Sequence, residues 1–92
     1  MSRTVKRSGR FKKDFKRLCH DAVVVREFTH VLSLLVEDLE LPEKYCDHPL
    51  HNDWEGARDC HIRPDVVLIY RKIDDVLSVL NLERIGSHSE LF

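Results

Sequence analysis

The chain has 92 residues, 42% hydrophobic and 34% charged, with a formal net charge of −1, which excludes an intrinsically disordered protein. The longest apolar run, Val66 to Tyr70, is too short to cross a bilayer. The basic N-terminal residues are not followed by the apolar stretch that a secretory signal contains. We therefore expect a single domain over residues 1–92 that has no contact with membranes and acts in the cytoplasm.

The first predicted elements are a short strand over residues 3–7 and a helix over residues 9–19. Ser8 is a suitable N-cap for this helix because its hydroxyl can accept from a free backbone N–H. Apolar residues recur at helical spacing on one face, at Phe11, Phe15, Leu18 and Ala22. The opposite face of the helix is basic.

Residues 1–18 carry eight of the fifteen basic side chains but only one acid, Asp14. A cluster this one-sided attracts phosphate, although a lysine-rich helix face that is merely solvated has the same pattern. We favour phosphate binding. The residues concerned include Lys6, Arg10, Lys12, Lys13, Lys16 and Arg17.

A second helix is predicted to begin after Asp21, another good N-cap, and to end before Pro42. Its apolar stripe consists of Val24, Phe28, Val31, Leu35 and Leu39. Because the connection between the two helices is short, they are expected to form a helical hairpin.

After a polar loop over residues 42–55, the apolar period changes to two. Three strands are predicted: Gly56 to Arg63, Val66 to Lys72 and Val76 to Arg84, with Gly86 opening a short tail. The order β-α-α-β-β-β indicates an α+β domain, with a helical hairpin on one face of a mainly antiparallel sheet. The other face should be partly open, and we expect the functional site there.

Asp59 and His61 lie two residues apart on a strand, so both point to the same face. We expect this face to be the open one, because Cys60 and Ile62 between them resemble core residues. A wet sheet edge is the alternative. His48, Asp65 and His88 lie in connections, where functional groups are common.

Histidines suit proton transfer near neutral pH. Two of them on opposite sides of a phosphodiester are able to carry out RNA transesterification, one by taking the 2′-hydroxyl proton and the other by protonating the 5′-oxygen. A positive neighbour would stabilise the phosphoryl oxygens.

A metal site is the competing interpretation of the same region. The possible ligands do not have zinc-finger spacing, and neighbours on a strand point to opposite faces, so we expect neither metal nor cofactor. The three cysteines, Cys19, Cys46 and Cys60, are odd in number and are interpreted as small hydrophobes. Trp54 is expected to cover the core, whereas Tyr45 either does the same or stacks on a base.

Linked motifs place these residues in a known family. Asp47-His48-Pro49-Leu50, Trp54-Glu55-Gly56 and Arg58-Asp59-Cys60-His61-Ile62 are followed by Pro64-Asp65 and Leu68-Ile69-Tyr70. With Ser8-Gly9-Arg10-Phe11-Lys12-Lys13-Asp14 and the ending Arg84-Ile85-Gly86-Ser87-His88-Ser89-Glu90-Leu91-Phe92, this set resembles the YafQ toxins of the RelE/ParE superfamily, from type II toxin–antitoxin systems. The resemblance covers nearly the whole chain.

The resemblance implies a microbial ribonuclease-like fold and a metal-independent endoribonuclease that cleaves mRNA in the ribosomal A site. It implies His48 as the base and His88 as the acid. His61 and Asp65 would orient groups or stabilise charge, and Asp59 would support His61. RNA would be bound by Phe92, with Arg63 and Arg84 the nearest cations, while the basic first helix would dock on ribosomal RNA.

The resemblance also implies partners. A cognate antitoxin would silence the toxin, and the complex would bind operator DNA only through the antitoxin. A ParE-like gyrase inhibitor of the same fold and an inactive co-repressor are the alternatives. Neither alternative accounts for the assembled set of His48, Asp59, His61, Asp65 and His88.

Overall fold

The protein was analysed as a computed structural model that describes residues 2–75 and 78–92. Its elements follow the order β1 Thr4–Arg7, α1 Gly9–Leu18, α2 Ala22–Val36, β2 His48–Pro49, β3 Arg58–Arg63, β4 Val66–Asp74, β5 Ser78–Gly86 and α3 His88–Leu91. The α+β class and the mainly antiparallel sheet are confirmed. Four elements were not predicted: the two-residue β2, the short α3, and two 3₁₀ helices in the loop before β3, Glu43–Tyr45 and Asn52–Trp54.

The five strands form one sheet in the order β1-β5-β4-β3-β2. The first strand runs parallel to β5, and the other neighbours are antiparallel. The predicted start of the last strand, Val76, lies outside the described residues. None of the helices in the described part of the chain combines the length and apolar character that a membrane span requires.

Both predicted helix caps are present. The backbone N–H of Phe11 donates to Ser8 Oγ over 3.0 Å, and Asp21 accepts from the first turn of α2. The helix α2 ends earlier than expected, since Asp38 adopts a left-handed conformation with φ of 58°. Leu39 therefore does not continue the apolar stripe and is 55% exposed.

The helical hairpin covers one face of the sheet. Its three phenylalanine rings, Phe11, Phe15 and Phe28, pack with centroids 5.1 to 5.8 Å apart. They join Cys60, Ile62 and the inward residues of the central strands in the main core. Among the cysteines only Cys60 behaves as a small hydrophobe, because Cys19 and Cys46 are exposed.

The opposite face of the sheet is less open than predicted. Ala57, Val67 and Ile69 form a second apolar cluster with Leu91 of α3, and Leu50 and Trp54 from the loop before β3 pack against it. The prediction that Asp59 lies on an open face is wrong, because Asp59 is only 2% exposed. The loop and the unpredicted α3 fold back over part of this face, so that Asp59 is buried while His61 is half-buried.

Candidate active site

Three of the predicted histidines gather around the buried Asp59. His48 of β2 pairs directly across from Asp59 of β3, and its Nε2 atom lies 3.0 Å from Asp59 Oδ1. The rings of His48 and His61 are 6.5 Å apart between centroids. Burial raises the pKa of the Asp59 carboxyl, and the charges of His48, His61 and His88 oppose that rise. We refer to His48, Asp59, His61 and His88 as the histidine site.

Both ring nitrogens of His48 face oxygen atoms. Nδ1 lies 2.7 Å from the carbonyl oxygen of Cys46, which can only accept a hydrogen bond. Nδ1 must therefore carry a proton, and this leaves Nε2 to interact with Asp59. The carbonyl contact fixes the tautomer and the ring orientation. Nε2 is the nitrogen that remains available for proton exchange.

The contact between His48 Nε2 and Asp59 Oδ1 brings a ring nitrogen within 3.0 Å of a buried carboxylate oxygen. Within residues 2–75 and 78–92, Asp59 Oδ1 has no hydrogen bond of regular geometry. The family resemblance implied that Asp59 supports His61, whereas the ion-pair contact of Asp59 is with His48.

His88 occupies the first position of α3. A capping box holds this short helix, because Ser87 Oγ accepts from the Glu90 backbone while the Glu90 carboxylate accepts from the Ser87 backbone. The next turn brings the Phe92 ring within 4.7 Å of the His88 ring. Phe92 is 49% exposed, so its ring is accessible to a ligand beside His88.

Asp65 and Arg63 are more distant members of the predicted set. Both are exposed, Asp65 in the turn after β3 and Arg63 next to a register shift in that strand. In the described ranges no hydrogen bond or ion pair joins Asp65 to the histidine site. Their predicted roles remain predictions.

The predicted RNA-binding cations differ in their availability. Arg84 donates two hydrogen bonds of 2.9 Å to Asp14, and Arg17 contacts both Asp14 and Glu90. Their guanidinium groups therefore have fewer donors left for RNA than expected. The remaining candidates are exposed: Lys6, Arg10, Lys12, Lys13 and Lys16.

Asp47 holds the start of β2, a role that was not predicted. Its carboxylate accepts from the hydroxyl of the fully buried Tyr70 and from Arg58 Nε and Nη2, at 3.2 and 3.3 Å for the arginine. These contacts lie on the helical face, so the next residue, His48, turns to the opposite face above Asp59. The cross-strand pairing of Arg58 with Tyr70 is visible only once the register is known.

We expect Tyr70→Phe to lower the rate of the RNA cleavage that the family resemblance implies about 3- to 10-fold, by loosening the position of His48. The variant keeps the volume of the side chain but removes one donor from Asp47, which should cost about 1–2 kcal/mol of unfolding free energy. Urea unfolding and a cleavage assay normalised to folded protein measure the two effects separately. An unchanged normalised rate would show that Asp47 does not position His48.

The alternative prediction of a metal site is not supported by any grouping of side chains within the described residues. Across the described ranges, no three His, Cys, Asp or Glu side chains are grouped so as to hold a metal ion. Cys60 is buried in the main core and points away from His61.

A helical hairpin on one face of a mainly antiparallel sheet is the fold that the resemblance to toxins of the RelE/ParE superfamily implies. A sequence model described as the bacterial toxin of type II toxin–antitoxin system, YafQ, matches residues 3–92. The chain therefore belongs to the YafQ family of toxins.

Individual relatives are similar over the full length. The mRNA interferase toxin YafQ of Escherichia coli strain B/BL21-DE3 is 38% identical over 93 residues, covering 100% of this chain and 98% of that protein. The E. coli DinJ–YafQ complex contains a similar chain, with a TM-score of 0.84, 38% identity and 98% coverage of each chain. A metal-bound toxin from Helicobacter pylori has a TM-score of 0.87, 38% identity and full coverage of both chains.

Proposed function

We propose that this chain is an mRNA interferase, an endoribonuclease that cleaves mRNA in the ribosomal A site without a metal. The observation that carries the proposal is the position of His48 and His88 around one buried carboxylate, Asp59, in a chain similar to named mRNA interferases. Because the proposed substrate is mRNA on the ribosome, the protein acts in the cytoplasm under this proposal.

His48 is the base in the proposed reaction. Its Nε2 atom takes the proton from the ribose 2′-hydroxyl, and the resulting oxygen attacks the adjacent phosphorus. Because Nδ1 stays bonded to the Cys46 carbonyl, the imidazolium that forms keeps its orientation. The Asp59 carboxylate, 3.0 Å from Nε2, stabilises the new positive charge.

His88 is the acid. It donates a proton to the departing 5′-oxygen, so the products are a 2′,3′-cyclic phosphate and a 5′-hydroxyl end, and no water or metal enters this step. Phe92 packs against His88 and offers an exposed aromatic surface on which a base stacks. His61 and Asp65 assist by orienting the RNA, and the lysines of α1 dock on ribosomal RNA.

We propose the same class of partner as in the related DinJ–YafQ complex, a cognate antitoxin that binds and silences the chain. Contact with operator DNA then comes only through the antitoxin.

Primer extension on a defined mRNA, translated by purified ribosomes, tests the proposal. We expect cuts within codons in the presence of the protein, only when ribosomes are present, and undiminished when bound metal has been removed from the protein with EDTA and the chelator dialysed away before ribosomes and Mg²⁺ are added. Since a similar toxin binds metal, a parallel reaction contains added Zn²⁺ or Cu²⁺. A folded, antitoxin-free protein that makes no cuts would rule out the nuclease, and a loss of cutting by the metal-stripped protein that added Zn²⁺ or Cu²⁺ restores would rule out the metal-independent mechanism.

A further inference from the structure

The strand register aligns His61 and the residues just before His88 in one row across the sheet. Gly86 of β5 pairs with Val67 of β4, which pairs with His61 of β3. Because adjacent strands are about 4.8 Å apart, the backbones of Gly86 and His61 are separated by about 10 Å. His88 follows Gly86 by two residues, so an RNA strand that crosses this row passes from Phe92 and His88 to His61.

A cleft of about 420 Å³ lies beyond His61, at the outer edge of β3. It exists because β2 pairs only with Arg58 and Asp59, so that the rest of this edge of β3 has no strand partner in residues 2–75 and 78–92. We call it the edge cleft. Its walls include Glu27, Lys44, Tyr45, His61, Ile62 and Arg63.

The walls of the edge cleft combine an apolar surface with cations. Tyr45 and Ile62 are buried, whereas Lys44 and Arg63 are exposed. The Lys44 ammonium lies 4.9 Å from the centre of the Tyr45 ring. Proteins hold single-stranded RNA with such pairs of features, placing a base on an apolar or aromatic wall and a phosphate beside a cation.

Glu27 adds a hydrogen-bond acceptor to the cleft. Its Oε2 atom accepts from the Tyr45 hydroxyl over 2.6 Å, and Lys44 Nζ is 3.9 Å from the same oxygen. The hydrogen bond from Tyr45 and the nearby cations lower the pKa of the Glu27 carboxyl, which stays ionised at neutral pH. A carboxylate accepts from the exocyclic amino group of a base, which uracil lacks.

We propose that the edge cleft binds the base of the nucleotide next to the scissile phosphate, on the side opposite Phe92, and favours bases with an exocyclic amino group. Lys44 and Arg63 contact the phosphate that follows. This inference rests on the proposed nuclease function and adds a second base-binding position to it. Phe92 and the edge cleft then hold the two nucleotides on either side of the cut.

Nuclear magnetic resonance titration with 2′-O-methylated dinucleotides tests the proposal, because the blocked 2′-hydroxyl prevents cleavage. The adenine dinucleotide should shift the signals of Tyr45, His61 and Ile62, and bind about fivefold more tightly than the uracil dinucleotide. In the double variant Lys44→Glu, Arg63→Glu, affinity for the adenine dinucleotide should fall about tenfold.

The matched control is Arg7→Glu with Lys72→Glu, which makes the same change in net charge at two positions on β1 and β4 that are not among the named RNA-binding residues. Its affinity for the dinucleotide should change less than about twofold. Equal losses in the two double variants, shifts confined to His88 and Phe92, or no binding at about 10 mM dinucleotide would each overturn the proposal.

This titration does not depend on cleavage. A protein that binds the dinucleotide in the edge cleft but makes no cuts on ribosomes would overturn the nuclease function and leave the cleft as a base-binding site. A protein that cuts mRNA while Tyr45 and Ile62 stay unperturbed would overturn the edge cleft alone.

Discussion

Replacement of His88 by alanine is expected to lower the rate of mRNA cleavage about 10²- to 10⁴-fold, the usual contribution of a general acid. His88 is exposed at the first position of α3, where alanine is compatible with a helix, so the fold should be retained. The departing 5′-oxygen would then have to leave without a proton. Single-turnover cleavage on programmed ribosomes measures the rate.

The matched control is His51→Ala. His51 is another exposed histidine, three residues after His48 but not part of the histidine site. Its replacement should change the rate less than about twofold, since surface substitutions away from special contacts have small effects. If His88→Ala cuts as fast as the wild type, His88 is not the acid, and the proton must come from another group.

Asp14→Asn is expected to lower the free energy of unfolding by more than Tyr70→Phe does. Asp14 is only 3% exposed, and its carboxylate accepts from Arg84 twice, from the backbone N–H of Ile85 and from Arg17. Strand β1, which pairs with β5, ends opposite Leu82. Beyond that point β5 has a free edge, and the Asp14 carboxylate accepts the hydrogen bond from the backbone N–H of Ile85 there. Removing one partner of a buried pair costs about 3–5 kcal/mol, and the lower value applies because Arg84 still reaches water.

A loss of about 3 kcal/mol in a domain of this size lowers the Tm by roughly 12–24 °C, which differential scanning calorimetry measures directly. Asp53→Asn, an exposed acidic residue in the loop before β3, is the control and should change the unfolding free energy by less than about 0.5 kcal/mol. Equal Tm values for Asp14→Asn and the wild type would show that Asp14 is not a structural anchor.

The same carboxylate should make stability dependent on pH. Burial acts to raise the pKa of the Asp14 carboxyl, but the hydrogen bonds from Arg84 and Ile85 outweigh it, and the pKa is lowered below 3.8. Its contribution is therefore fully present above the ordinary aspartate pKa and is lost as the pH falls through the lower, folded-state value. Between pH 5 and pH 2 the stability of Asp14→Asn should fall less steeply than that of the wild type.

The helices and strands could be predicted because their signals are local. Ser8 and Asp21 cap helices through residues two or three positions away, and both caps are present. The predicted ends of the elements were wrong where a single backbone conformation or a partner distant in the chain decides them. Asp38 ends α2 by turning left-handed, and β2 exists only because β3 lies beside it.

Within the histidine site, residue types were predicted but partners were not. Histidines and carboxylates at connections indicated acid–base chemistry, and the alternation of β3 placed Asp59 and His61 on one face. The alternation gives no sign that Asp59 is buried or that it contacts His48 instead of His61. Both facts follow from the pairing of His48 with Asp59 and from the loop and α3 that cover this face.

By itself, the sequence determined the α+β class, the helical hairpin, the YafQ family and the residue types of the site, because apolar periodicity, caps and linked motifs act over short separations. Only the tertiary structure decided that Asp14 binds Arg84, 70 residues away, and that the Asp47 carboxylate anchors His48 from the far side of the sheet. Register and burial are collective results of packing, so a side chain's partner and solvent access depend on strands that are distant in the chain.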